Sequence, residues 1–324
     1  MSAKPKVAFY WCASCGGCEE SVVDLAEAIL DVVAKVDIVL WPVAMDFKRQ
    51  DVEAMPDGSI LASLINGAIR TSEQEEMARL LRRKSQILIA YGACAHQGGI
   101  PGLGNQVSHG AMMKTVYEDS PSTQNPAGVY PTPQFREQGR LVTLPTLWHV
   151  IRTLDQVVDV DYYLPGCPPT PKLLGEALGA LLGGQAPPKG SVLAPDIALC
   201  DQCPRKETKP TDLAIRKFKR PHLAPVDPER CLLAQGFLCM GPATRGGCEA
   251  VCISGNMPCS GCFGPTSRVR DQGAKMLSSI CSAIAATDET EIEATVRTVP
   301  DPVGTLYRYG LAASLLRRRA DLQA

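Results

Sequence analysis

Aromatic residues make up only 5% of this 324-residue chain, and no apolar run reaches the roughly eighteen residues that a membrane-spanning helix needs. An excess of either charge is also missing. The formal net charge is −1, which gives no reason to expect a nucleic-acid partner, whose binding depends on neutralising phosphates. The opening segment, Met1 to Tyr10, lacks a hydrophobic leader and paired arginines, so a cytoplasmic location is expected. What remains is ordinary for a soluble protein: 45% hydrophobic and 21% charged residues. The length suits one large domain or two modest ones.

Cysteine is the exception, with fourteen in the chain. In a reducing compartment such a number points to metal ligands and not to disulfides. Twelve fall into three sets of four. Cys15 and Cys18 stand with the widely separated Cys94 and Cys167. Cys200, Cys203, Cys231 and Cys239 form a second set, and Cys248, Cys252, Cys259 and Cys262 a third. Four thiolates per site is the ligand demand of a 4Fe-4S cluster, and three clusters in one chain make a path for electrons. Cys12 and Cys281 are left over, although Cys12 also opens a C-x-x-C and competes with Cys15.

Residues 1–185 alternate strand and helix patterns. Short apolar runs occur at Val7–Trp11, Val36–Trp41, Ile60–Ile65, Ile87–Tyr91 and Tyr162–Leu164. Helical periods lie at Ser21–Val33, Ser72–Arg83 and Pro171–Leu182, with Ser72 and Glu75 as a capping box for the second. This is the grammar of an α/β, flavodoxin-like, doubly wound parallel sheet. The first cysteine set then falls at the carboxyl ends of strands one, four and five, where such sheets hold their ligands. The glycines at 16, 17, 92 and 166 let the backbone approach a bulky group. A helix from about Glu20 would point its N-terminus at the negative charge of a thiolate-bound cluster.

Residues 186–324 read differently. Pro187, Pro188, Gly190 and Pro195 mark a linker into a loop-rich cysteine domain. Residues 196–265 hold too few periodic apolar residues for a core of their own, so bound metal is expected to supply stability. Ala274–Ala286 and the tail Pro302–Arg319 have helical patterns. The proline-rich insertion Ser108–Arg140 reads as loop with one helix near Ala111–Tyr117, a length that suits a functional or interface segment.

The chain resembles the small, iron–sulfur subunit of nickel–iron hydrogenases, most closely the methyl-viologen-reducing type. The resemblance rests on Ser14-Cys15-Gly-Gly-Cys18-Glu19, on Gly92-Ala-Cys94-Ala-His-Gln-Gly-Gly-Ile-Pro-Gly102, on Pro165-Gly-Cys167-Pro-Pro169 and on the cysteine string from Cys200 to Cys262. It covers nearly the whole chain and favours Cys15 and Cys18 over Cys12. It implies a proximal cluster on the first set, beside the nickel–iron centre of a separate large subunit. It implies a distal cluster on the second set and a medial cluster on the third. Many relatives have histidine where Cys200 stands, and some have proline in place of Cys252 with a 3Fe-4S centre. Here both are cysteine, which implies three 4Fe-4S clusters. The resemblance further implies a small iron–sulfur subunit and a heterodisulfide-reductase-like complex as electron partners.

Other readings compete. The same cysteines would serve an electron relay whose large subunit has lost its nickel. Zinc would suit Cys259-x-x-Cys262 taken alone. An FMN carrier would want hydroxyls and glycines after the first strand, where three cysteines stand. A quinone-reducing subunit related to respiratory complex I needs only the first set. Among single residues, His96 is either a polar neighbour of the first cluster or a partner of its own loop. Glu19 and Glu20 either serve the site or favour a helix N-terminus. Lys206 and Arg245 either offset cluster charge or meet solvent, and Arg317-Arg-Arg319 reads as a solvated helix end. Cys281 reads as a buried, inert thiol.

Overall fold

The computed structural model describes residues 4–318. The five apolar runs become parallel strands and a sixth joins them: β1 (Lys6–Trp11), β2 (Asp37–Leu40), β3 (Ile60–Asn66), β4 (Ser85–Tyr91), β5 (Tyr162–Leu164) and β6 (Ser191–Val192). They lie in the order β2-β1-β3-β4-β5-β6, all parallel. This is the flavodoxin-like order with one strand added. β6 lies beyond Gln185, so the sheet continues past the composition boundary. Its crossovers and flanks use α1 (Gly17–Val23), α2 (Ala28–Lys35), α3 (Ser72–Lys84), α4 (Gly92–Gln97) and α5 (Pro171–Leu182).

The strands read as near-continuous apolar runs because helices cover both sheet faces. Phe9, Leu64, Ile89 and Tyr162 stand in register across four strands. They pack with Val22 of α1 and Leu174 of α5. On the other face, Ile65 and Ala90 meet Met77, Leu80 and Leu81 of α3. Each such fully buried aliphatic side chain contributes about 2 kcal/mol.

Several expectations shift. The helix expected over Ser21–Val33 is two helices, broken where Ala26 takes φ 50°. The cap of α3 is Thr71, one residue earlier than expected. Its Oγ1 accepts from the Gln74 amide, and Gln74 Oε1 accepts from the Thr71 amide. Ser72 Oγ is taken by the Thr146 amide at 3.0 Å, beside a two-stranded antiparallel ribbon of Ile69–Thr71 and Leu147–Arg152. The insertion holds the helix His109–Lys114 and a wide turn over Thr115–Asp119. It also carries the start of an unforeseen hairpin, Gln134–Glu137 with Arg140–Thr143. That hairpin leaves Phe135, Leu141 and Val142 exposed.

The cysteine-rich region does have an apolar core, around Leu199, Phe218, Phe237, Met240, Met276 and Ile280. It is completed from outside residues 196–265, by α6 (Gln272–Cys281) and by Leu306 and Leu311 of the tail. α6 is shorter than its pattern because Ile215 captures the backbone of Ala283 and Ala285. Cys281 therefore ends the helix in an exposed position, not a buried one.

The tail is helical only over Pro302–Leu306, and Arg319 lies outside the described residues. Beyond Leu306 its backbone forms turns, with the Gly310 and Leu311 amides donating to Tyr307 O, and also bonds to the first region. Tyr309 O accepts from the Gly99 amide at 2.9 Å, Ala312 O from Gln156 Nε2 at 2.9 Å and Arg317 O from Asn105 Nδ2 at 3.1 Å. Arg317 thus lies in irregular backbone, with φ 54°, and not at a helix end. No helix among the described residues is long and apolar enough to cross a membrane.

Asp161, just before β5, ties three elements together. Its carboxylate takes Arg82 of α3 at 2.6 Å, Lys189 at 2.7 Å and the Leu88 amide of β4 at 2.8 Å. Burial alone would raise its pKa, but these partners outweigh burial and hold it below the usual value. A lowered folded pKa gives stability that is full above about pH 4 and lost as pH falls further. Asp161→Asn should therefore cost about 2 kcal/mol at pH 7. It should also flatten the acid limb, measured as urea midpoints from pH 7 to pH 3. An unchanged acid limb would remove Asp161 from this role.

Candidate metal centres

The first set assembles as the sheet topology requires. Cys15 lies in the turn after β1, pinned by mutual backbone bonds between Ala13 and Ala68. Cys18 is in the first turn of α1, whose cap Gly16 has φ 90°. Cys94 lies in α4 directly after β4, and Cys167 follows β5. The charges of Cys94, Cys167 and Cys15 all reach Cys18. Glycine makes the close approach possible at two places. A methyl at Gly92 would collide with Cys18 Sγ, and one at Gly99 with Cys94 Sγ. Cys12 stands apart: it is buried, its amide bonded to Asn66 O at 2.8 Å, and its titration is governed by burial and Glu73, not by the other thiols.

The second set lines one small cavity of about 30 Å³, with all four of Cys200, Cys203, Cys231 and Cys239 on its wall. The third set, Cys248, Cys252, Cys259 and Cys262, lines a cavity of about 240 Å³ that Cys167 of the first set also borders. The sets therefore touch in sequence. The Cys167 backbone amide and thiol charge both act on Cys262. At the other end, the Cys259 amide donates to Cys239 Sγ at 3.4 Å. The third set thus lies between the first and the second, although it comes last in the chain.

Burial governs the electrostatics. Removal from water, with neighbouring thiols adding to it, pushes Cys94, Cys200 and Cys262 up to about 12. Cys239 rises to about 11, eased by the amides of Gly241 and Cys259. Cys18, Cys167, Cys248 and Cys259 rise for the same first cause. Thiols held neutral in this way become thiolates only when a metal core supplies positive charge, with release of protons. Amide donors wait for that charge: Ile100 at Cys94, Gly261 at Cys259 and Arg205 at Cys203 Sγ, the last at 3.4 Å. Among the described residues no three Cys, His, Asp or Glu side chains close around one point as a lone ion needs. The thiols instead surround space, which fits a core of several atoms.

The neighbours sort themselves. Glu19 is buried, accepting from Trp41 Nε1 and from Asn66 Nδ2 at 2.6 Å. Burial raises its pKa and those two bonds oppose the rise. Glu20 is exposed. The His96 ring packs against Tyr163 at 4.6 Å, tilted by 38°, its Nδ1 finds no partner among the described residues, and burial lowers its pKa to about 4. Lys206 is exposed beside Glu207, and Arg245 is paired with Asp196 at 2.9 Å. Sequence reasoning missed Tyr309, whose raised pKa comes first from burial and then from the charges of Cys167 and Cys262. It also missed Arg205, for which the signal available was its place two residues after Cys203.

A family model described as the NADH ubiquinone oxidoreductase 20 kDa subunit matches residues 15–181, the span that carries the first set. The iron–sulfur subunit of the F420-non-reducing hydrogenase of Archaeoglobus profundus is 38% identical over 97% of this chain and 98% of its own length. This chain belongs to that family of hydrogenase iron–sulfur subunits. It is the small subunit of a nickel–iron hydrogenase of the methyl-viologen-reducing type, an electron-transfer subunit with iron–sulfur clusters. The corresponding F420-non-reducing hydrogenase subunit of Methanothermobacter thermautotrophicus is 37% identical over 98% of this chain and 97% of its own length. In fold, the hydrogenase subunit is also similar to a chain of the nickel–iron–selenium hydrogenase of Desulfovibrio vulgaris Hildenborough. That match has a TM-score of 0.51 and 18% identity over 82% of this chain and 95% of that one.

The glycine cradle of the first site can be tested. Gly92 has φ 84°, so Gly92→Ala adds both a backbone cost of about 1 kcal/mol and the collision with Cys18. Iron should fall by about four atoms per chain, the content of one cluster, while the circular dichroism of the sheet is retained. Full iron in this variant would mean that Gly92 does not shape the site. Cys281→Ala, at the exposed end of α6, should leave iron unchanged and stability within about 0.5 kcal/mol.

Proposed function

We propose that this chain holds three 4Fe-4S clusters in line. Cys15, Cys18, Cys94 and Cys167 bind the proximal one. Cys248, Cys252, Cys259 and Cys262 bind the medial one, and Cys200, Cys203, Cys231 and Cys239 the distal one. When bound, such clusters carry single electrons between the nickel–iron centre of a partner large subunit and an acceptor. The acceptor in this reading is a further iron–sulfur or flavin protein, such as a heterodisulfide reductase complex. The assembly acts in the cytoplasm.

One observation carries the reading: Cys262 meets the Cys167 amide, and Cys239 meets the Cys259 amide. The backbone of one set thus supports the sulfur of the next at both junctions. The chain's own residues bind, orient and shield. The glycines at 92 and 99 admit the sulfurs, and the amide donors hold them in position. Phe263, fully buried beside Cys262, excludes water from the third cavity. The division of labour follows the two regions. The region up to about residue 185, with five of the sheet's six strands, supplies the first set, and the cysteine-rich region from residue 186, which adds β6, supplies the other two.

The test is metal analysis of the complex, purified anaerobically with whatever accompanies it. About twelve irons per chain, with nickel in a companion subunit, is the expected result. The same iron without nickel would favour an electron relay that does not react with hydrogen, and zinc in place of iron would sink both. Cys167→Ala should lower iron by about one cluster and stop hydrogen-dependent dye reduction. Normal activity at full iron would remove Cys167 from the ligand set.

A further inference from the structure

Three cations are buried among the described residues, Lys84, Arg205 and Arg245. Lys84 has Asp57 at 2.9 Å and Arg245 has Asp196 at 2.9 Å. Arg205, 5% exposed, has no carboxylate within salt-bridge distance among the described residues. Its guanidinium donates only to neutral oxygens. Nη1 reaches Asp227 O at 3.2 Å and Arg230 O at 3.4 Å, and Nη2 reaches Ile253 O at 2.9 Å and Asn256 Oδ1 at 2.5 Å. These bonds satisfy its hydrogens but leave its charge unanswered, and a buried charge without a counter-ion is strongly disfavoured.

The counter-ion has a place. Arg205 lines the cavity whose wall is Cys200, Cys203, Cys231 and Cys239. A group bound by four thiolates there is net negative in either oxidation state, because the thiolates outweigh the iron–sulfide core. Reduction adds one more negative charge, and a fixed cation in a dry site favours that step. We infer that Arg205 is the buried counter-charge of the second cysteine set, beside the exposed Lys209 that lines the same cavity, and raises the potential of the cluster held there. This rests on the three-cluster reading. It casts Arg205 as a positioning residue acting through its charge, and the loops it joins, Asp227–Arg230 and Ile253–Asn256, as the frame that keeps that charge in place.

Two variants separate charge from framework. Arg205→Gln keeps polar donors and removes the charge, while Arg205→Lys keeps the charge with fewer donors. The holo complex is titrated potentiometrically by electron paramagnetic resonance, with iron counted in each sample. At equal iron, Arg205→Gln should make the second-set signal about tenfold less reduced at a fixed poise, equivalent to about 59 mV for one electron. Arg205→Lys should stay near wild type. Equal potentials in wild type and Arg205→Gln at full iron would overturn the inference. So would loss of the cluster in both variants, which would make Arg205 a structural clamp. Wild-type protein with far fewer than about twelve irons would instead bring down the three-cluster reading, and this inference with it.

Discussion

The dryness of sulfur governs this structure. Cysteines 18, 94, 239 and 259 are buried in surroundings that make a thiolate costly, and burial is the first cause of every raised thiol. A protein that wanted reactive cysteines would place them at an open, electropositive surface. Here the walls are largely apolar, and relief comes from backbone amides, the hydroxyls of Ser14 and Thr244 and a few cations. Such a pocket is unfavourable for free thiolates and favourable for a metal core that neutralises them. The loop-rich second region folds around that condition, with its apolar core and its sulfur-lined spaces sharing Leu199, Leu233 and Ile253.

The sheet provides the other half of the arrangement. Parallel strands bring Cys18, Cys94 and Cys167 to one edge although long stretches of chain separate them, and the edge then faces the third set. The amide of Cys167 serves a sulfur of its neighbour, so the residue is a ligand candidate for one site and a backbone donor to the next. The same doubling occurs at Cys259 and Cys239. Adjacent sites are thereby fixed relative to each other by direct contact and not through intervening side chains.

Much of this was legible in the sequence. The five apolar runs each became a strand within one or two residues, and Pro171–Leu182 kept its bounds, because apolar period and a proline at the helix start are local signals. The cysteines now proposed as ligands could be grouped by spacing in the second region, and the gathering of Cys18, Cys94 and Cys167 after parallel strands followed from topology. What escaped was non-local. Thr71 displaced Ser72 as a cap because the Thr146 amide claimed the serine. The hairpin after the proline-rich insertion carries no strong turn dipeptide beyond Gln138-Gly139. Cys281 looked buried beside Ile280, yet the backbone of Ile215 ended its helix at that residue. The place of Arg205 two residues after Cys203 was legible, but its lack of a carboxylate partner was not, since that depends on what the fold places beside it.

The tail couples distant parts of the chain. Tyr309 holds the amide of Gly99, Ala312 fills the space against Gly98, with a methyl there lying 2.5 Å from its Cβ, and Arg317 reaches Asn105. These residues brace the loop behind Cys94 from a distant part of the sequence. The sheet strands pair among themselves, but the loop behind Cys94 gains this brace only once residues 309–317 have docked. Order around Cys94 thus depends on the docking of a segment that lies far along the chain from the strand preceding it.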